Sequence, residues 1–271
     1  MEEGSRAHRE SKSMNNNETA KVRAAIEQGL DRAESNWRKV GHLLVEARLQ
    51  KSMESYAADS ADSNIPGYRV VSADHPQVDE FIALVIDMRG STQRLKTHIK
   101  NAKVNGLQRV YYETSALLPA VAVTCGFKDG MVTEYLGDGG LVLFSVDKDD
   151  RESSVRLAYR AAKDCIGGMR TLINDAIAER YNLPEISLGV GLAMSKAMIT
   201  LVGVPGNYQP KAIGSCVWDA TKLSGGVNAV HVSPDIKGVW PTSQGGLMRF
   251  RRLDLKHVEG FKMYQEPATD R

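Results

Sequence analysis

No apolar run in the 271 residues approaches the roughly 20 needed to span a bilayer, so a membrane role would call for a partner. Cysteine is scarce. Cys125, Cys165 and Cys216 stand far apart without metal-ligand spacing. In a chain with no signal-peptide pattern they read as reduced thiols, and the expected location is cytoplasmic. Neither sign of charge is in excess: 35 Lys and Arg against 33 Asp and Glu leave +2. That excludes the global basic field of a nucleic-acid binder. Aromatics make up only 6%, too few to favour an RNA-binding sheet with exposed stacking rings. The six histidines form no metal pattern, and there is no internal repeat or low-complexity tract. What remains is 42% hydrophobic and 25% charged, ordinary for a soluble globular chain. The length suits one large domain with an extension, or two small domains.

Residues 1–18 are polar and are expected to be disordered. Over residues 19–53, Val22, Ile26, Leu30, Trp37, Val40 and Leu44 make one apolar stripe at helical spacing, weakened at Gly29 and Gly41. Such a stripe serves a helix folded on its own domain as well as one that extends a dimer interface. Residues 55–67, SYAADSADSNIPG, have linker composition. Residues 19–68 are therefore expected to form a helical extension and linker, and residues 69–271 a compact domain.

Within that domain the near-continuous apolar run at 81–86 predicts a central buried strand. A mostly helical stretch follows over 91–125, with Ser91 or Thr92 available to cap it. Residues 131–136 and 141–146 predict a hairpin joined by Gly137, Asp138, Gly139 and Gly140. A long helix over 151–181 is broken at Gly167 and Gly168. Strands are expected at 186–194 and 197–203, a short helix at 217–223, and two strands within 248–265. The order strand–helix–strand–strand–helix–strand is the α+β, ferredoxin-like split βαβ plan.

In that plan the first strand and the hairpin lie side by side. Residues 83–92 read ALVIDMRGST, so the strand ends on Asp87. Residues 134–144 read EYLGDGGLVLF and place Asp138 in the hairpin turn. Both carboxylates can reach one point above the sheet edge, where they repel unless a cation lies between them. Hard oxygen ligands with no His or Cys nearby favour Mg²⁺ or Mn²⁺, whose shells are commonly completed by substrate phosphates. Gly90, Ser91 and Thr92 open the next helix, whose first N–H groups suit phosphate. A metal beside an anion nest is the equipment of nucleotide chemistry. Arg89 reads as an exposed structural salt bridge, with a phosphate or base contact as the alternative.

These motifs resemble the class III nucleotidyl cyclases over residues 78–266. IDMRGST is similar to the first metal motif of that family and EYLGDGGLVLF to its second. GSCVWDATKLS, residues 214–224, looks like its ribose and transition-state segment, and LKHVEG, residues 255–260, like its late lysine motif. The resemblance implies a head-to-tail homodimer with active sites at the interface. One subunit would supply Asp87, Asp138 and the Met88 backbone for two Mn²⁺ or Mg²⁺ ions. The other would supply Trp218 and Lys222, with Lys256 as a phosphate contact. The ribose 3′-hydroxyl would attack the α-phosphate and pyrophosphate would leave.

By position, the family's base-reading residues fall on Glu134 and Lys211, with charges reversed from the Lys and Asp typical of adenylate cyclases. A carboxylate accepts from an N–H and an ammonium donates to a carbonyl. The pair therefore suits the imide edge of uracil or guanine. Trp218 stands where the family has a ribose-binding asparagine; it reads as a pocket wall, or equally as core or dimer contact. Lys222 replaces an arginine and keeps the charge without the bidentate fork. Together these features look most like the bacterial pyrimidine cyclases of anti-phage defence, uridylate or cytidylate. UTP is the favoured substrate, cyclic UMP the product, and a separate cyclic-nucleotide-binding effector the downstream partner. Cytidylate, guanylate and adenylate cyclases, or a weakly catalytic nucleotide-binding module, are the alternatives.

Overall fold

The computed structural model describes residues 14–40, 60–97, 99–100, 102–204, 207–241 and 248–265. An eight-stranded sheet runs β4-β5-β3-β6-β8-β10-β9, with β7 paired to the far half of β6. The central strand β3 (Gln77–Met88) is flanked by antiparallel β5 (Gly139–Ser145) and β6 (Leu188–Val204). The hairpin partner β4 (Met131–Tyr135) edges the sheet. These four strands and their crossover helices form the split βαβ plan that the sequence predicts.

Alternation along β3 divides the core in two. Ile82, Leu84, Ile86 and Met88 face one layer of helices: α1 (Asn16–Val40), α3 (Gly106–Gly126), α4 (Arg151–Asp164) and α5 (Arg170–Tyr181). Phe81, Ala83 and Val85 face the other side, covered by α6 (Ser215–Leu223) and by a hairpin of β1 (Ser60–Ile65) and β2 (Tyr68–Ser72). Helix α6 packs directly on β6. A Cβ at Gly191 would stand 2.0 Å from the Ala220 carbonyl oxygen, so only glycine lets the helix settle there. The sheet closes with β8 (Ala229–Val232), α7 (Pro234–Val239), β9 (Met248–Leu253) and β10 (Gly260–Gln265).

Several elements differ from the sequence reading. Helix α1 starts earlier than expected, because Asn15 and Glu18 form a capping box at 2.9 and 3.0 Å. Residues 14–18 therefore belong to the folded chain, and the expectation of disorder over 1–13 lies outside the described residues. Val22, Ile26 and Leu30 are fully buried and Trp37 stacks at Tyr111 and Tyr112. The stripe thus serves the chain's own domain. Arg180 pairs with Glu27, Asp31 and Glu34 and fastens the opposite flank. Gly29 is where α1 crosses α3, against the Ser115 carbonyl, so it permits packing rather than merely weakening the helix. Leu44 and Gly41 lie outside the described residues.

The second half of the expected linker is the β1–β2 hairpin, whose Pro66 and Gly67 form its turn. Composition signalled a break, and the break is a tight turn. The expected helix over 91–125 is two helices, α2 (Ser91–Lys96) and α3, the latter capped by Asn105 accepting from the Gln108 N–H. The break at residues 165–169 is a π turn around Gly167, where the sequence placed it. The two strands expected at 186–203 are one 17-residue strand whose true partner, β7 (Asn207–Gly214), went unread.

Helix α2 is too short to hold itself. Arg94 clamps it, donating to both oxygens of Glu113 at 2.6 and 3.0 Å and to the carbonyls of Pro184 and Glu185. Glu113 is fully buried and also accepts from Arg109 at 2.9 Å. Two outcomes follow in denaturant titrations. Leu30→Ala loses about 2–5 kcal/mol, as a core deletion does, if α1 is part of the cooperative unit; a loss near zero would mean that the helix is an appendage. Glu113→Gln leaves two buried guanidinium groups without their counter-charge and costs about 3–5 kcal/mol.

Candidate active site

Strand β3 delivers Asp87 to the α6 side of the sheet, following Phe81, Ala83 and Val85, while Met88 turns into the opposite core. Asp87 stands opposite Gly139 of β5 and Gly189 of β6. Asp138 precedes Gly139 in the two-residue turn of the β4–β5 hairpin, where Leu136 and Gly139 exchange backbone hydrogen bonds at 2.8 and 3.3 Å. A Cβ at Gly139 would lie 2.3 Å from the Ile86 carbonyl oxygen. The glycine therefore lets the turn press against β3 and sets Asp138 beside Asp87.

The two acids fit a hard divalent ion. Asp138 Oδ2 is buried with no hydrogen-bond partner, a lone pair aimed at nothing the chain supplies. Among the described residues no group of three or more His, Cys, Asp or Glu gathers. Two carboxylates, with the Met88 backbone adjacent, leave the rest of an oxygen shell to substrate and water. Arg89 pairs with Asp87 through Nη2 and is about three-quarters buried, so it is not the exposed surface bridge expected. Burial holds its guanidinium below the usual arginine range, with the Asp138 charge acting in the opposite direction.

The Gly90 turn follows at once. Gly90 is left-handed at φ 70°, ψ 26°, and caps α2 without a side-chain bond. Neither Ser91 nor Thr92 caps the helix, which corrects the expectation. Gly90 and Thr92 are exposed and Ser91 half-buried, so the first-turn N–H groups border solvent.

Glu134 and Lys211 also meet. Their strands are separated in the sheet by β5, β3 and β6, yet β7 bends back over the α6 face and the two side chains form an ion pair. The β1–β2 hairpin contacts both β4 and β7 and braces the arrangement. Convergence of these residues was legible from the sequence; their pairing with each other was not.

The remaining predicted residues stand apart from the aspartates. Trp218 is 72% exposed, which rules out its reading as ordinary core. Lys222 is one turn further along the same exposed side of α6, while Cys216, Ala220 and Leu223 bury the other side. Lys256 is exposed in the loop between β9 and β10, not on a strand. The loop is tied to the α6 side at its end: Val258 packs against that core, and Gly260, the first residue of β10, abuts Leu223. Among the described residues no ion pair joins Lys222 or Lys256 to either aspartate. The sequence reading missed the buried Arg94–Glu113–Arg109 cluster that fixes the turn after Asp87. Its one signal was the i,i+4 spacing of Arg109 and Glu113.

No family model matches the chain. A curated protein named uridylate cyclase, from Gulbenkiania mobilis, is 27% identical over 181 residues, 66% of this chain and 68% of that one. The crystal structure of the guanylyl cyclase Cya2 superposes with a TM-score of 0.56 at 15% identity, over 70% of this chain and 92% of its own. That of the adenylyl cyclase CyaB from P. aeruginosa gives 0.58 at 13% identity, over 72% and 98%. The likeness drawn from the motifs thus extends to the three-dimensional structure: the chain has the fold of the class III nucleotidyl cyclase catalytic domain.

Proposed function

We propose that the chain is a nucleotide cyclase that converts UTP to 3′,5′-cyclic UMP and pyrophosphate. One observation carries the reading: Asp138 sits in the turn next to Gly139, the residue that pairs with Asp87, and one of its carboxylate oxygens is buried and unpartnered. Two ions of Mg²⁺ or Mn²⁺, held by Asp87, Asp138 and the Met88 carbonyl, would supply positive charge at the triphosphate and lower the pKa of the attacking hydroxyl.

The chain's own groups do the binding and orienting. The first-turn N–H groups at Gly90, Ser91 and Thr92 receive phosphate oxygens. Glu134 accepts from the imide N–H of uracil and Lys211 donates to the neighbouring carbonyl. The base enters by parting their ion pair, exchanging one charge–charge contact for two charge-assisted hydrogen bonds. An amino-bearing edge held in the same register sets its bare ring nitrogen against Glu134 and its amino group against Lys211, so an acceptor faces an acceptor and a donor faces a donor. The uridylate cyclase name of the curated relative agrees with this choice of base.

Trp218, Lys222 and Lys256 act on the site of a second copy, with Trp218 against ribose or base, Lys222 at the α-phosphate and Lys256 at the terminal phosphates. Exposure of Trp218, and of Val202, Val204 and Ile213 on the β6–β7 arm, supports a homodimer. In the cell the product serves as a cytoplasmic second messenger of anti-phage defence, read by a separate effector. A nucleotide-holding module with little turnover is the second reading, favoured by lysine rather than arginine at position 222.

Incubation with each of ATP, GTP, CTP and UTP plus Mn²⁺, with product identified by mass, is expected to give cyclic UMP. Asp87→Ala and Asp138→Ala should each lower the rate by at least about a hundredfold; wild-type turnover in either refutes the metal assignment. Dominant cyclic AMP refutes the base assignment. Exchanging the pair, Glu134→Lys with Lys211→Glu, retains the ion pair and the fold while shifting preference away from UTP, and an unmoved preference would show that these residues do not read the base.

A further inference from the structure

We propose that Arg89 is a built-in counter-cation of the two metal carboxylates, displaced when a divalent ion binds and then turned toward the substrate polyphosphate. The inference rests on the reading of Asp87 and Asp138 as metal ligands. It begins with a charge conflict. Close packing at Gly139 brings the turn that carries Asp138 against the end of β3 that carries Asp87, and like charges so placed repel. Within the chain the Arg89 guanidinium answers that repulsion: it pairs with Asp87, and Asp138 is the charge that favours its protonated form.

The answer is incomplete. Arg89 Nε and Asp138 Oδ2 are both buried, and neither has a hydrogen-bond partner. A donor and an acceptor in one cluster are left unmatched, unlike the Arg94–Glu113 pair, where both carboxylate oxygens are taken. A single positive charge bound to one acid leaves the other acid short. A divalent ion serves both and makes the guanidinium redundant. The backbone at Arg89 is held, its N–H donating to the Ser187 carbonyl at 2.8 Å, so the exchange moves a side chain and not the strand. Gly90 comes next, and the exposed first-turn N–H groups of α2 follow it. A released guanidinium at this position stands beside the exposed Gly90 turn, and its planar fork matches phosphate oxygens.

The test is Mn²⁺ titration of the nucleotide-free protein by calorimetry, in wild type, Arg89→Gln and Arg89→Lys. Arg89→Gln is expected to bind Mn²⁺ about tenfold more tightly, because an adjacent opposite charge biases an acidic site by one or more logarithmic units. Arg89→Lys should stay near wild type. At saturating Mn²⁺, Arg89→Gln should bind a non-hydrolysable UTP analogue more weakly. Those opposite signs for metal and nucleotide are not produced by a purely structural arginine. If Arg89→Gln binds Mn²⁺ no more tightly than wild type, the inference falls and the metal reading stands. If none of the three binds Mn²⁺, both fall. Should Arg89→Gln fail to fold, the wild-type protein decides. Its Arg89 Nε–H resonance, assigned by comparison with Arg89→Lys, must shift when Mg²⁺ is added, and an unmoved signal overturns the proposal.

Discussion

The arrangement depends on how closely one turn lies against one strand. The β3–β5 ladder runs unbroken from Phe81 opposite Ser145 to Asp87 opposite Gly139, and the missing side chain at Gly139 lets the ladder continue to its last rung. Everything acidic in the site follows from that. Were residue 139 larger, the turn would lift, Asp138 would leave Asp87, and the electrostatic conflict between them would disappear along with its use. The conflict is sustained by elements with ample stability of their own. From Phe81 to Ile86 strand β3 is buried on both faces and paired on both edges, while Arg94, Glu113 and Arg109 lock the segment that follows. Local strain of this kind persists where the surroundings over-determine it.

A second regularity is that two of the three acids singled out for function have a basic partner in the same chain, Asp87 with Arg89 and Glu134 with Lys211, while the buried Asp138 Oδ2 has none. Both pairs are half-buried, where an unpaired charge is costly. Internal pairing gives each of these charges a counter-charge when no ligand is bound. It also means that, under the proposed function, a nucleotide enters by exchange rather than by filling prepared space. Exchange weakens affinity but sharpens discrimination, since a wrong base must part an ion pair and return nothing.

The sequence exposed these features unevenly, and for physical reasons. The strand ending in Asp87 and the glycine turn holding Asp138 were legible because local pattern determines them: an apolar run of strand length, and a turn that only glycine-rich sequence makes. The π turn at Gly167 was legible for the same reason. The β1–β2 hairpin was not, because Pro and Gly mark a tight turn and a linker alike. Strand β6 read as two strands because the polar pair Ser195 and Lys196 interrupts its apolar run. The break after α2 had a signal that went unread, Asn105 followed by Gly106, and the short helix before it is held by a buried charge cluster spanning Arg94, Glu113 and the 184–185 carbonyls. Ion pairs between side chains distant in sequence, Glu134–Lys211 above all, leave no local trace.

What the fold separates is as informative as what it joins. Asp87 stands at one end of β3 and Asp138 in the hairpin turn next to it, whereas Trp218 and Lys222 look outward from α6 and Lys256 stands in the β9–β10 loop. Helix α6 cannot rotate to bring its exposed side inward. Its buried side is fixed on Gly191 of β6, and His231 Nδ1 meets the Leu223 carbonyl at 3.1 Å. A rigid helix that presents a largely exposed indole and a cation one turn apart has no use for them within its own chain. If those groups serve the proposed chemistry, they must do so across an interface, and the catalytic unit is then a dimer by geometry rather than by regulation. On that argument dilution below the dimer dissociation constant removes turnover and leaves metal binding at Asp87 and Asp138 intact, because each chain carries both acids and needs a second copy only for the rest.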